Sequence, residues 1–207
     1  MKTGVGNNYR TNRITQHNAY TIIMKALSLK FFDVLEKNLS LKEFEKWLYS
    51  LEDSDGLKKS ALWKAFYNFN YGSKSGYEFA QLLSNFDTDE YALYKFENTL
   101  KTILADGNLF RVVRSAHDFS LRYNYPLFEL IGKFDYELQN EFQSYENTRQ
   151  HLAGTAENLL QQWFSLRSNA ERLDFLKGKI PVQNKVRLAP DSVYLKFSGK
   201  LWNFWKN

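Results

Sequence analysis

One stretch of the chain gathers side chains of a type and spacing that could do chemistry. Arg111, Arg114 and His117 fall in the run Arg-Val-Val-Arg-Ser-Ala-His. Residues three apart on a helix are neighbours on one face, so Arg114 and His117 would stand side by side. A guanidinium and an imidazole converging on a phosphodiester could stabilise its charge and move a proton. The competing account is a basic helix face carrying a solvated histidine. The other histidines, His17 and His151, are distant in sequence, and none of the three has a second ligand at helical spacing. With no cysteine in the chain either, no metal or cofactor site is expected. A Gly-rich phosphate loop, a nucleophile elbow and a His-Glu-x-x-His helix are all missing from the sequence. Glu52, Asp53 and Asp55 crowd one turn without the remaining oxygen ligands of a calcium loop, and they read as a solvated helix end.

A second chemistry-bearing stretch closes the chain. Tyr194, Phe197, Trp202, Phe204 and Trp205 interleave with Lys196, Lys200 and Lys206. That mixture could stack bases, hold anionic groups or lie on a membrane surface. It could equally clamp its rings onto a helical body while the lysines stay wet, because Trp202 and Trp205 would share one helix face and favour burial. The tail also carries the charge excess. From Lys177 onward there are seven basic residues against the single acid Asp191, which leaves 21 basic and 22 acidic residues before it. Residues 179–207 are therefore expected to form a basic aromatic segment packed on the body. Tyr194, Lys196, Lys200, Trp202 and Trp205 are its candidate partner-binding residues.

The elements that must position these groups are helical by pattern. Ile22, Ile23, Leu27, Phe31, Val34 and Leu35 recur at three- and four-residue steps, predicting a helix over 14–37 behind a flexible lead, 1–13. Ser40 with Glu43 makes a capping box, with Leu39 and Phe44 as its hydrophobic staple, so a second helix starts at Leu41. Leu57 to Phe69 and Tyr77 to Phe86 follow. Asp87 with Glu90 opens a helix that Asp106 and Gly107 close, and Leu109 to Tyr123 is the next. Pro126 begins a long helical stretch to Leu166 that Gly154 divides in two. Ser168 with Glu171 starts a last helix, ended by Gly178. Alternating Val193, Leu195 and Phe197 suggest a short strand in the tail.

The expected fold class is mainly α: a bundle of about seven to nine helices over 14–178, ending in a short β-like or irregular basic segment. An aromatic content of 17% with only 3 prolines and 10 glycines suits long helices packed through large rings. The basic, polar start has no apolar stretch of a secretory signal, and no run approaches the ~18 apolar residues of a membrane span. A cytoplasmic protein is the expectation.

Two resemblances bear on function. The Arg111-to-His117 spacing resembles the Arg-x4-6-His motif of the helical HEPN ribonucleases, although Val112 stands where that motif carries a polar residue. From Leu39 to Leu83, the runs Leu-Ser-Leu-Lys-Glu-Phe-Glu-Lys-Trp-Leu-Tyr and Tyr-Asn-Phe-Asn-Tyr-Gly-Ser-Lys-Ser-Gly-Tyr-Glu-Phe-Ala-Gln-Leu-Leu resemble the opening of small bacterial immunity proteins. Those belong to polymorphic-toxin and contact-dependent inhibition systems. This second resemblance implies a cytoplasmic inhibitor in interbacterial competition that binds a cognate toxin domain and occludes its active site, without catalysis. The near-neutral body offers no acidic, nucleic-acid-like face, so a toxin other than a nuclease, or one engaged through apolar contacts, is expected. Two alternatives are retained: a nucleic-acid-binding protein acting through its basic tail, and a HEPN-like ribonuclease using Arg111, Arg114 and His117.

Overall fold

Local caps set most of the helix boundaries. The computed structural model describes residues 8–51, 57, 59–72, 76–105, 107–139 and 144–183, with side chains described from Tyr20 onward. Helix α1 runs Asn8–Leu35, and α2, Leu41–Ser50, begins at the capping box read from the sequence. The Glu43 amide donates to Ser40 Oγ at 3.2 Å, and the Ser40 amide donates to Glu43 Oε2 at 2.9 Å. Ser40 also holds the Glu43 carboxyl below its ordinary range, first through its hydroxyl and then through its amide. Helix α3, Ala61–Tyr67, starts where Ser60 Oγ accepts from the Trp63 amide. Helix α4, Gly76–Ala80, runs into a 3-10 turn, Gln81–Asn85. Asp87 then caps α5, Thr88–Leu104, by accepting from the Asp89 amide at 2.9 Å. The remaining helices are α6, Leu109–Tyr123; α7, Pro126–Gly132; α8, Phe134–Gln139; α9, Tyr145–Ser165; and α10, Asn169–Leu176.

The chain is mainly α-helical, and no strand occurs among the described residues. It divides into two units, Met1–Lys95 and Phe96–Asn207, with the division inside α5. Periodicity finds helices but does not say which ones share a core.

The first unit is built on phenylalanines. Phe31 stacks on Phe86 at 4.8 Å and meets Phe66 and Phe79 edge-on at 5.1 and 5.2 Å, while Phe44 packs against Phe66 and Phe79. Edge-on and offset contacts suit the ring quadrupole, and each buried ring contributes about 1.5–3 kcal/mol of burial. Beside this core lies a polar cluster where the end of α1 faces α5. The Lys95 ammonium donates to Glu36, the Tyr91 phenol donates to the same carboxylate, and the Tyr94 phenol donates to Asp33. Helix α1 stops in a left-handed residue, Lys37 at φ 62°, and the Asn38 amide turns back to the Asp33 carbonyl at 2.8 Å.

In the second unit α6 packs along α7 and also against α8, α8 against α9, and α7 against α10. Phe96 meets Phe128 and Trp163, and Phe128 meets Phe119. A clamp ties α9 to α5 and α10. The Trp163 indole donates to Glu97 at 3.0 Å, and Arg172 lies 5.4 Å over the Trp163 ring.

Several sequence expectations are corrected. Helix α1 takes in residues 8–13 of the expected lead, since once a helix is nucleated each added residue extends it at small cost. Ile22, placed on the apolar stripe, is exposed, while Leu27 and Phe31 are buried. The stretch from Pro126 does not divide at Gly154, which lies inside α9 with open space around it. A lone helical glycine costs only about 1 kcal/mol, too little to end a helix. The divisions fall instead at Lys133 and between Gln139 and Tyr145. The box at α10 is offset by one residue: Ser168 Oγ accepts from the Glu171 amide as expected, but Glu171 accepts from the Arg167 amide. Gly178 at φ 70° ends α10 as expected. The acidic turn of Glu52, Asp53 and Asp55, and the proposed strand at 193–197, lie outside the described residues.

Candidate functional site

Helix α6 buries Val112, Val113, Ala116 and Phe119, so Arg111 and Arg114 point outward on its opposite side. Arg114 is committed to structure. Its Nη1 donates to Asp135 Oδ2 on α8 at 2.9 Å, and its Nε lies 3.7 Å from Asp118 Oδ1. The Asp135 hydrogen bond, then the charges of Asp135 and Asp118, hold the guanidinium above its ordinary pKa. His117 sits at a helix crossing: a Cβ added at Gly132 of α7 would lie 2.8 Å from the His117 Cα. Among the described residues, neither the Arg111 guanidinium nor the His117 imidazole has a hydrogen-bond partner. The helix therefore carries all three residues of the ribonuclease alternative, with one spent on an inter-helix brace and another anchored by its backbone at a crossing.

The side chain of His17 is outside the described residues. His151 meets Phe134 edge-on at 5.3 Å. Glu137, on the same helix as Phe134, escaped the sequence reading. Burial pushes its carboxyl pKa up, and His151 draws it partly back. Among the described residues no group of three or more His, Asp or Glu side chains could hold a metal ion.

The tail residues Tyr194, Lys196, Lys200, Trp202 and Trp205 lie outside the described residues. What is described is how the chain approaches them. The Gln183 amide donates to Gln162 Oε1 at 2.7 Å, and its carbonyl accepts from Gln162 Nε2 at 2.8 Å and Asn158 Nδ2 at 3.1 Å. The Gln162 carboxamide thus pairs with one residue's backbone as a neighbouring strand would.

A candidate binding surface that the sequence did not point to lies on the first unit. Helix α2 buries Phe44 and Leu48, which turns Glu45 and Tyr49, one helical turn apart, toward the other side. Helix α3 buries Trp63 and Phe66 and leaves Tyr67 outside. Tyr49 and Tyr67 are 50% and 47% exposed, large fractions for aromatic rings that touch each other. They meet edge-on at 5.4 Å, and Tyr49 meets Tyr71 edge-on at 6.2 Å. Tyr67 also stacks on the buried Trp63 at 6.1 Å. The Tyr71 phenol donates to the Phe66 carbonyl at 3.0 Å, which fixes its ring. Burial, then Tyr49 and Glu45, push the Tyr71 phenol well above its ordinary pKa; burial, Glu45 and Tyr67 act the same way on Tyr49. The Tyr49 and Tyr71 phenols are therefore neutral donors at physiological pH. The signal in the sequence was the pair of Tyr residues following Trp47-Leu48 and Ala65-Phe66, but only the packing of α2 against α3 joins them.

No helix among the described residues is long and apolar enough to cross a membrane. Comparisons with protein families, with characterised proteins and with solved structures find no match to this chain.

Proposed function

We propose that this protein is an immunity-type inhibitor that binds a cognate bacterial toxin domain and blocks it, and that the tyrosine face of α2 and α3 is its contact surface. The observation that carries the reading is the placement of Tyr49, Tyr67 and Tyr71 within Leu39–Leu83, the stretch that resembles small immunity proteins. Tyrosine is enriched among the few residues that dominate binding energy at protein interfaces, because a stiff ring buries area at low entropic cost while its hydroxyl finds a partner. A ring already held by its neighbours loses still less freedom on binding. The inhibitor acts in the cytoplasm, where the toxin's target would be, and works by occlusion rather than by turnover.

The test is co-purification and calorimetry with the C-terminal domain of the protein encoded immediately upstream of this chain's gene, together with protection of cells expressing that domain. Tight 1:1 association and protection are expected. Tyr49→Ala and Tyr67→Ala should each weaken association by about 2 kcal/mol, some 30-fold, with unchanged helical content. Absence of binding and of protection would remove the proposal.

A further inference from the structure

Glu45 is half-buried on α2 one helical turn before Tyr49, and among the described residues no cation forms an ion pair with it. Lys42 and Lys46 flank it on α2, yet neither comes within pairing distance. The carboxylate's influence reaches both Tyr49 and Tyr71. An unpaired carboxylate beside several rings repels phosphate and attracts a cation, and the rings add the attraction of their faces for positive charge. Tyr49 also meets Tyr71, and Tyr67 also stacks on Trp63, yet about half of each side chain stays open to solvent, so aromatic surface remains free at both.

We propose that the tyrosine face receives an arginine side chain presented by the partner, with Glu45 as its counter-charge, the Tyr49 ring as its stacking surface and the Tyr67 ring, at 80° to it, as a side wall. The inference rests on the reading of this face as a protein-binding surface, and it names the chemistry recognised there. Arginine fits better than lysine. Its planar guanidinium stacks on rings, is weakly hydrated, and can offer a carboxylate two parallel donors, whereas an ammonium is a strongly hydrated point charge.

The test uses the full chain and Nα-acetyl-arginine methylamide, with the equivalent citrulline compound as a control of the same shape without the charge. Saturable NMR shifts are expected at Glu45, Tyr49 and Tyr67 in the millimolar range, at least fivefold weaker with citrulline. Glu45→Gln should lower arginine affinity at least fivefold, Tyr49→Ala should do likewise, and Tyr49→Phe should retain binding, because the ring face rather than the hydroxyl is used. Equal binding of arginine and citrulline, shifts confined to other parts of the chain, or insensitivity to Glu45→Gln would each overturn the inference. Failure here is separable from failure of the proposed function. Toxin-domain binding without arginine recognition sinks only this inference, whereas arginine recognition without any toxin pairing sinks only the inhibitor reading.

Discussion

Replacing Lys95 with methionine removes a buried cation while keeping the length of its stem. In the folded chain the Lys95 side chain is 3% exposed and that of Glu36 10%, and the ammonium lies 2.8 Å from one carboxylate oxygen and 3.1 Å from the other. In Lys95→Met the carboxylate keeps the Tyr91 phenol as a donor but loses its counter-ion where water has little access. Removing one half of a buried pair costs about 3–5 kcal/mol, and the surviving phenol bond places this case at the low end, about 3 kcal/mol. For a chain of this size each kcal/mol moves Tm by about 2–4 °C, which gives a fall of about 6–12 °C. The double variant Glu36→Leu, Lys95→Met should lose less than the two single variants together, because the desolvation penalty disappears with the attraction; what remains is the Tyr91 phenol deprived of this acceptor, about 1–3 kcal/mol. Urea unfolding of the parent, both single variants and the double variant closes a double-mutant cycle. Circular dichroism and aromatic fluorescence should be followed together, since two units need not unfold as one. A loss below about 1 kcal/mol in Lys95→Met, or a double variant whose loss is the sum of the two single losses, refutes the reasoning.

Other consequences are as direct. Gly132→Ala should cost about 1–3 kcal/mol in urea unfolding, because its Cβ would meet backbone and Cβ atoms of His117 that only a shift of α6 or α7 can move. Lys37→Gly should stabilise the chain by up to about 1 kcal/mol by relieving the left-handed backbone at the end of α1, whereas Lys37→Ala should leave that strain in place. Two half-buried carboxylates should act in opposite directions on the pH dependence of Tm. Burial raises the pKa of Glu97, but bonds from Lys101 and Trp163 outweigh it and leave the group depressed. Its contribution is therefore present above the unfolded value of about 4.3 and lost as pH falls through the lower folded value, so Glu97→Gln should flatten the acid limb. Glu137 is raised, by burial first and with His151 opposing. Its contribution is complete below about pH 4.3 and lost as pH rises through the folded value, so Glu137→Gln should be the more stable protein at neutral pH and show no advantage in acid.

The sequence by itself determined what depends on neighbours in the chain. The box at Ser40, a cap at Asp87, the span Leu109–Tyr123 and the stop at Gly178 were legible because a cap is a hydrogen bond across two to four residues, and periodicity is a property of one helix; Asp87 accepts from the Asp89 amide and not in a box with Glu90. The helix class followed from the same local rules. Tertiary structure decided the rest. Gly154 continues a helix because nothing in the fold requires a break there, and Lys37 takes a left-handed conformation that no local preference of lysine announces. Lys95 and Glu36, fifty-nine residues apart, read as two ordinary surface charges until α1 and α5 bury them together. Arg114 read as a free cation until α8 presented Asp135 to it. The tyrosine face needs a ring from α2, one from α3 and one from the turn that follows. Burial of Phe44, Leu48, Trp63 and Phe66 decides which way those rings point, and that is a property of the packed core rather than of any segment within it.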